Sequence, residues 1–397
     1  MQKIPWTPLL LTMLTQAAAT MAAYTLSTAS PYIAPDLGVE NEDVAQLVAV
    51  VYLLGAMSAM TVPPFIHRFG GMPISIAICV ATAAMLSIAS FASSIGILTL
   101  GALSLGVLYG STAPSSSHVL APLTAEKRRN FVFSVRQIGV PLGGILGGLL
   151  VPPLILIGGW RMAFQAQLIF ALVMIFAIFL VRSRYDHGRD RNRNVWSLRG
   201  PIRLVGLLRE LPEIRPLAIA AFVYSGAQLC FGAFIVTQLV RVFGQDGYHF
   251  ASAVALVAFQ LSGITTRIVL GVIADSWISA RWLLVAQGFL MTLSAIVAAG
   301  YDASWPYWLI VINCALAGAT ASGYTGLAFA EFVRLGGPKR TAEATGLGTA
   351  LMFFGVAAMA PLFRLGIDIF NGYAIPYFLV AALTAASALL LAIGTRR

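Results

Sequence analysis

The stretch GITTRIVLGVIAD, Gly263 to Asp275, sets Arg267 among residues that suit a lipid-buried helix. Arg136 stands in a similar place, in NFVFSVRQIGVPLGG. An arginine at the centre of a membrane helix costs roughly 2.5–3.5 kcal/mol. Its guanidinium is also a planar fork of donors that matches a carboxylate or another oxyanion. Two such groups describe a positively charged interior that would take a small anion, with Arg267 as the main counter-charge. The structural alternatives are that Arg267 holds a gate by pairing with Asp275 or a carbonyl, and that Arg136 snorkels to the surface. A second chemistry is proton binding. Imidazole changes charge between about pH 5 and 8, which makes His118 the first candidate for a coupled proton and Glu331 the second.

The elements that must carry these groups are apolar helices. The chain has 397 residues, of which 59% are hydrophobic and 10% charged, against about 25% charged in a soluble protein. Runs of about 20 apolar residues recur along the chain, each long enough to cross a bilayer core of roughly 30 Å. They are too long, and alternate too weakly, for barrel strands. Twelve spans are predicted, at 8–34, 43–66, 72–93, 96–120, 131–157, 162–182, 214–240, 249–273, 280–300, 306–332, 342–367 and 372–394. The first is too long for a signal-peptide core and is read as a retained helix.

Lys and Arg set the orientation. With the N-terminus inside, 20 of the 25 fall on the inner side, from Lys3 and Arg68 through the arginines of 182–215 to Arg397. Arg161, Arg241 and Arg364 fall outside, while Arg136 and Arg267 lie within spans. Both termini are therefore expected in the cytoplasm, in a bacterial-type inner membrane. The net charge of +10 is loop bias and does not imply nucleic acid. The tryptophans fall near span ends, where an amphipathic ring is best placed. Cys79, Cys230 and Cys314 lie inside spans with neither metal nor disulfide spacing, and read as small packing residues.

With the spans in place, no carboxylate stands at mid-membrane. Asp36 is at an outer end; Asp275, Glu331 and Glu343 are at inner ends. Arg267 lies about 12 Å, and Arg136 about 9 Å, from the inner ends of their spans at 1.5 Å per residue. Polar residues at helical spacing mark faces. Span one has Gln16, Thr20, Tyr24 and Thr28; span four has Ser111, Ser115 and His118, with Tyr109 beside them. Span seven has Tyr224 and Gln228; span ten has Asn313, Thr320, Tyr324 and Glu331. Span eight carries Gln260, Gly263, Arg267 and Gly271 on one stripe. These faces are read as lining the path, and spans six and twelve, nearly devoid of polar groups, as facing lipid. In span five Gly139, Gly143 and Gly147 share a face, spacing that lets helices approach closely.

The polar stretch RSRYDHGRDRNRN, 182–194, divides the chain into two sets of six spans. GGWRMAF opens span six and NGYAIPYF opens span twelve; EKRRN precedes span five and GPKRT precedes span eleven. The expected domains are a bundle at 1–182, a basic linker at 183–213 and a bundle at 214–397.

On these features the chain resembles the major facilitator superfamily over essentially its full length. That family's signature between spans two and three is Gly-x-x-x-Asp-Arg-x-Gly followed by basic residues. Here PFIHRFGGMP keeps Arg68 and Gly70 but has proline for the first glycine and His67 for the aspartate. Its repeat, GVIADSWISAR, keeps Gly271 and Asp275. GVPLGG partly matches the superfamily's antiporter motif, and the contexts of Arg267 and Arg136 are similar to the oxalate–formate or monocarboxylate and the cyanate-permease-like branches. The resemblance implies an all-α membrane fold of two pseudo-symmetric six-helix bundles that rock around a central site. The candidate substrate residues are Arg267, Arg136, Gln260, Tyr24, Gln16, Tyr224, Gln228, Asn313 and Tyr324. His67, Arg68, Asp275 and Glu343 are the candidate gate: His67 is expected to pair with Glu343 in the first turn of span eleven, and Asp275 to face the start of span five, near Arg128, Arg129 or Arg136.

The expected function is secondary transport of a small organic anion, coupled to protons or to exchange, by a monomer in a lipid bilayer with no cofactor and no metal. The rivals are proton-coupled drug efflux and a membrane sensor or enzyme. Efflux would favour a mid-membrane acid. An enzyme would need a nucleophile–base set or metal cluster, and His67, His118, His187 and His249 are scattered, without HExxH spacing. No nucleotide-binding loop is present. The orientation is directly testable. A reporter enzyme active only outside the cytoplasm should be active when fused after Arg241 and silent when fused after Arg340; the reverse pattern would overturn the assignment.

Overall fold

The computed structural model describes residues 4–185, 189–192, 194–195, 199–243 and 248–394. Lys3, His187, Arg193, Trp196, Arg396 and Arg397 lie outside the described residues. The described chain is helical, without a strand. In order it contains α1 (Trp6–Leu37), α2 (Asn41–Thr61), a short α3 (Pro63–Phe69), α4 (Gly71–Ser90), α5 (Ile95–Tyr109), α6 (Thr112–Leu123), α7 (Arg129–Gln137) and α8 (Gly139–Tyr185). It continues with α9 (Arg199–Glu210), α10 (Ile214–Phe243), α11 (Tyr248–Ser276), α12 (Ala280–Ala299), α13 (Tyr307–Ala317), a π-helical turn (Gly318–Ser322), α14 (Thr325–Phe370) and α15 (Ala374–Ile393).

Ten continuous helical stretches among the described residues are long and apolar enough to cross a membrane. Two of them run for 60 and 64 residues, or about 90 Å and more at 1.5 Å per residue, three times the bilayer core. Both are turned at glycines. α8 breaks at Gly158 and Gly159, where Gly159 has φ 76°. α14 breaks at Gly337, with φ 64°, and at Arg340. Glycine takes a positive φ without steric cost, so each stretch can make two passes. Counted as two helices each, they bring the spans to twelve.

The residues group into two compact units. The first comprises Met1–Ala125, Arg136–Arg209 and Gly336–Ala350; the second comprises Glu126–Val135, Glu210–Leu335 and Leu351–Arg397.

In the first unit α1 lies along α8. A Cβ on Gly139 would come within 2.4 Å of the Met13 carbonyl oxygen, and one on Gly143 within 2.4 Å of that of Ala17. The glycine face of span five is therefore the face against α1. Gly148 faces open space. The fourth span is interrupted between α5 and α6. A Cβ on Gly110 would overlap the Gly55 carbonyl, and the Gly110 N–H donates to Ser58 Oγ at 3.1 Å. One end of the unit is tied by Asp36, which accepts from Trp160 Nε1 at 3.1 Å and pairs with Arg161 at 2.7 Å.

The second unit has a corresponding tie. Arg241, near the end of α10, donates to the Asn371 carbonyl at 2.7 Å, just before α15. The GGWR and NGYA repeats thus sit at equivalent joints, the end of a first helix against the start of a sixth. Ile169, Phe176, Phe378 and Leu379 on spans six and twelve are exposed, as lipid-facing helices require. The three cysteines are buried and free. On α9, Leu204 and Leu207 are buried whereas Ile202 and Val205 are exposed.

Gly143 and Gly148 separate packing from propensity. Gly148→Ala should hold or raise the melting temperature in detergent, since alanine favours a helix by up to about 1 kcal/mol. Gly143→Ala must push α8 off α1 and should lower it. Equal responses would contradict the helix contact.

Candidate functional site

In the first unit, span five breaks between α7 and α8 just after Arg136 and Gln137. Pro141 has no N–H to give to the first turn of α8, which eases a break there, and Gly139 rests on the Met13 backbone. The break leaves Arg136 against α1, only 2% exposed. Arg136 donates to the side-chain oxygen of Gln137 and, at 3.2 Å, to Gln16 Oε1. Gln16 Nε2 donates to Thr20 Oγ1 at 3.0 Å, and Thr20 Oγ1 lies 3.2 Å from the Tyr109 hydroxyl. Tyr109 meets Tyr52 edge to face at 5.5 Å, and Tyr52 hydrogen-bonds Tyr24 and Tyr109. A buried guanidinium thus heads a run of amides and hydroxyls on α1, α2 and α5. Among the described residues no carboxylate lies within ion-pair distance of Arg136, and its Nε has no hydrogen-bond partner. Arg136 does not snorkel.

Arg267, in the second unit, is 1% exposed. Its Nε donates to the Ser322 carbonyl at 2.8 Å and its Nη2 to Ser322 Oγ at 2.9 Å. Ser322 closes the π-helical turn, a local form common at functional sites. The turn is pressed onto α11: a Cβ on Gly318 would overlap the Phe259 carbonyl, and one on Gly263 would meet Ser322 at 2.7 Å. Tyr324 packs edge to face on Tyr224 at 5.4 Å.

Several expected residues bond within the second unit. Asn313 spends its amide on the Ser294 carbonyl, at 3.0 Å, and on the Tyr301 hydroxyl, at 2.9 Å, so it joins α13 to its neighbours in the second unit. Tyr224 donates to the Leu284 carbonyl of α12 at 3.3 Å. Gln260 and Gln228 are half-buried. Glu331 is held by Arg334 through two bonds of 2.6 and 2.8 Å. Tyr52 and Gln137 were not expected. Tyr52 is the one phenol in an otherwise apolar LVAVVYLLGAM, and Gln137 adjoins Arg136; these were the available signals.

The gate residues fall into two clusters. In the first unit His67 Nε2 is 3.1 Å from both carboxylate oxygens of Glu343, in the first turn of α14 after Arg340. His118 stands against His67, ring centroids 5.5 Å apart and planes perpendicular. Arg68 lies over the Phe69 ring at 5.5 Å. In the second unit Asp275 accepts from the backbone N–H groups of Asn130 and Phe131 and from Asn130 Nδ2, each at 3.0 Å. Asp275 thus faces the start of span five, as expected, and the charge of Arg128 reaches it, but no arginine among the described residues bonds it. Arg129 reaches Glu126 at 3.6 Å. Two backbone donors at the positive end of α7 serve the acid instead.

The chain matches the Major Facilitator Superfamily over residues 12–312. No curated protein is significantly similar to it in sequence. Solved structures are similar across its length. The human organic anion transporter MFSD10 (TETRAN) is 16% identical, with TM-score 0.76, covering 98% of this chain and 100% of that one. The E. coli fucose:proton symporter FucP is 12% identical, with TM-score 0.75 and 99% of each chain covered. The proton:xylose symporter XylE is 13% identical, with TM-score 0.72, covering 97% and 94%. At these identities the likeness carries the fold, and together with the family match and the apolar helices it makes this chain a multi-pass membrane transporter, not an enzyme, of the major facilitator superfamily.

Proposed function

We propose that the protein is a secondary transporter of a small organic anion working by alternating access, and that Arg136 is the substrate's counter-charge. The carrying observation is Arg136 itself: buried, bonded to neutral amides, and with one donor unused. Leaving an ion buried without a counter-ion is unfavourable by several kcal/mol. A carboxylate arriving beside Arg136 would relieve that, and Gln16, Thr20 and the tyrosines would hydrogen-bond the rest of a small polar solute. In the second unit Arg267, with its guanidinium oriented by Ser322, is read as a candidate anion contact in its own right. The human organic anion transporter with the same fold is compatible with this reading, and two sugar symporters share the fold equally well. The substrate class therefore rests on the arginine. The charge bias supports an inner membrane with both termini in the cytoplasm.

Uptake into proteoliposomes tests the reading. A panel of labelled monocarboxylates, dicarboxylates, amino acids, a neutral sugar and a cationic dye, with and without a pH gradient, should show accumulation of a carboxylate. Accumulation of the sugar or the dye alone would overturn it.

Arg136→Lys keeps the charge but loses the planar fork. Its apparent affinity should fall about tenfold or more, roughly 1.4 kcal/mol. Arg136→Gln should lose transport while eluting as a folded monodisperse species. Near-normal affinity in Arg136→Gln would remove Arg136 from the site.

A further inference from the structure

His67 occupies the motif position where the family signature has an aspartate, and the structure puts two further groups beside it. Its Nε2 sits 3.1 Å from each oxygen of Glu343, and the His118 ring stands perpendicular to it at 5.5 Å. Glu343 is 5% exposed. An ionised carboxylate only accepts, so the His67 nitrogen facing it carries a proton. If the ring is also protonated at Nδ1 the contact is charge-assisted, roughly twice as strong as a neutral one. The field of both His67 and Glu343 reaches His118. Two adjacent imidazoles oppose each other's charging, so protons bind to such a pair as a unit.

The other helices packed against α3 add little charge. α4 has no charged side chain, and the acids of α2, Glu42 and Asp43, are in its first turn, far from its junction with α3. Around the cluster stand Arg68 on α3, Lys339 and Arg340 in the turn before Glu343, and Arg189 with Asp190. The Asp190 backbone N–H bonds the His67 carbonyl at 2.9 Å, while its carboxylate takes the Asn192 N–H.

We propose that His67, His118 and Glu343 form a site for a single proton, and that this proton holds the start of span eleven onto α3. With the proton bound, His67 is a cation against Glu343, and His118 is the neutral ring against it. When the proton leaves, the charge-assisted bond becomes an ordinary one and the hold of α3 on Glu343 weakens. The sign follows. The contact is full in mild acid and weakens as pH rises through the imidazole range. His118 acts by its charge state, since a second cation there opposes protonation of His67. The proposal does not depend on which solute is carried, so it can fail while the anion reading stands, or the reverse.

The test is the distance between spin labels at Phe69→Cys and Lys339→Cys, measured without substrate in nanodiscs. Both positions are exposed, and the three native cysteines are buried. At about pH 6 the short distance should dominate, and by about pH 8 a longer population should grow, spanning the range in which imidazole titrates. His67→Arg should keep the short distance at both values. Glu343→Gln should lose the pH response. His118→Lys should show the long population already in acid. His118→Phe, which keeps a ring but cannot take a proton, should close in acid as the parent does and so guards against misfolding as the explanation. A parent distribution that ignores pH, or a Glu343→Gln variant that still responds, would overturn the proton site. A His118→Lys variant indistinguishable from the parent would overturn the three-residue assignment.

Discussion

A guanidinium among apolar helices is the constraint on which the rest of this structure depends. Left in hydrocarbon, each costs roughly 2.5–3.5 kcal/mol even on the lenient insertion scale. Arg136 and Arg267 are both almost fully buried, and the protein lowers that cost in two ways. Arg267 donates to a serine carbonyl and hydroxyl on a π-helical turn. Arg136 lies against neutral amides and keeps one donor unused. The first arrangement looks after its own donors; the second is poised for an acceptor that comes from elsewhere.

Close backbone approach makes these arrangements possible. Gly139 and Gly143 let α8 touch the backbone of α1, which brings Gln16 under Arg136. Gly318 and Gly263 bring the π-helical turn onto α11, so that Ser322 meets Arg267. Larger residues at those positions would hold the helices apart, and the polar groups would no longer meet. The same logic explains the corners at Gly159 and Gly337, where a positive φ turns one long apolar stretch into two passes.

Much of this was legible in the chain. Apolar run lengths gave the spans, because hydrocarbon thickness leaves little freedom in helix length. The burial of the two arginines followed from their positions within apolar runs. The contact of His67 with Glu343 was readable because the motif's missing aspartate left a charge to be supplied, and an acid stood at the start of span eleven. What periodicity did not reveal was rotation. A stripe identifies a polar face but not its neighbour, so Asn313 turned out to bond Ser294 and Tyr301. Asp275 took backbone N–H groups in place of arginines because the α7 N-terminus presents donors in a fixed direction, a preference that side-chain types do not express. The π-helical turn and the inclusion of Tyr52 likewise arise from packing between helices distant in sequence.

The central claim is that the buried charge of Arg136 is there for an anion. Ligand-induced thermal stabilisation tests it most directly, because a ligand that binds the folded state raises its stability by RT ln(1 + [L]/Kd). Small carboxylic acids should be compared with their primary amides, which match them in shape but lack the charge. The account predicts that at least one carboxylate raises the melting temperature of the parent, that its amide does not, and that Arg136→Gln abolishes the effect. Equal stabilisation by acid and amide, or a carboxylate response that survives in Arg136→Gln, would contradict it.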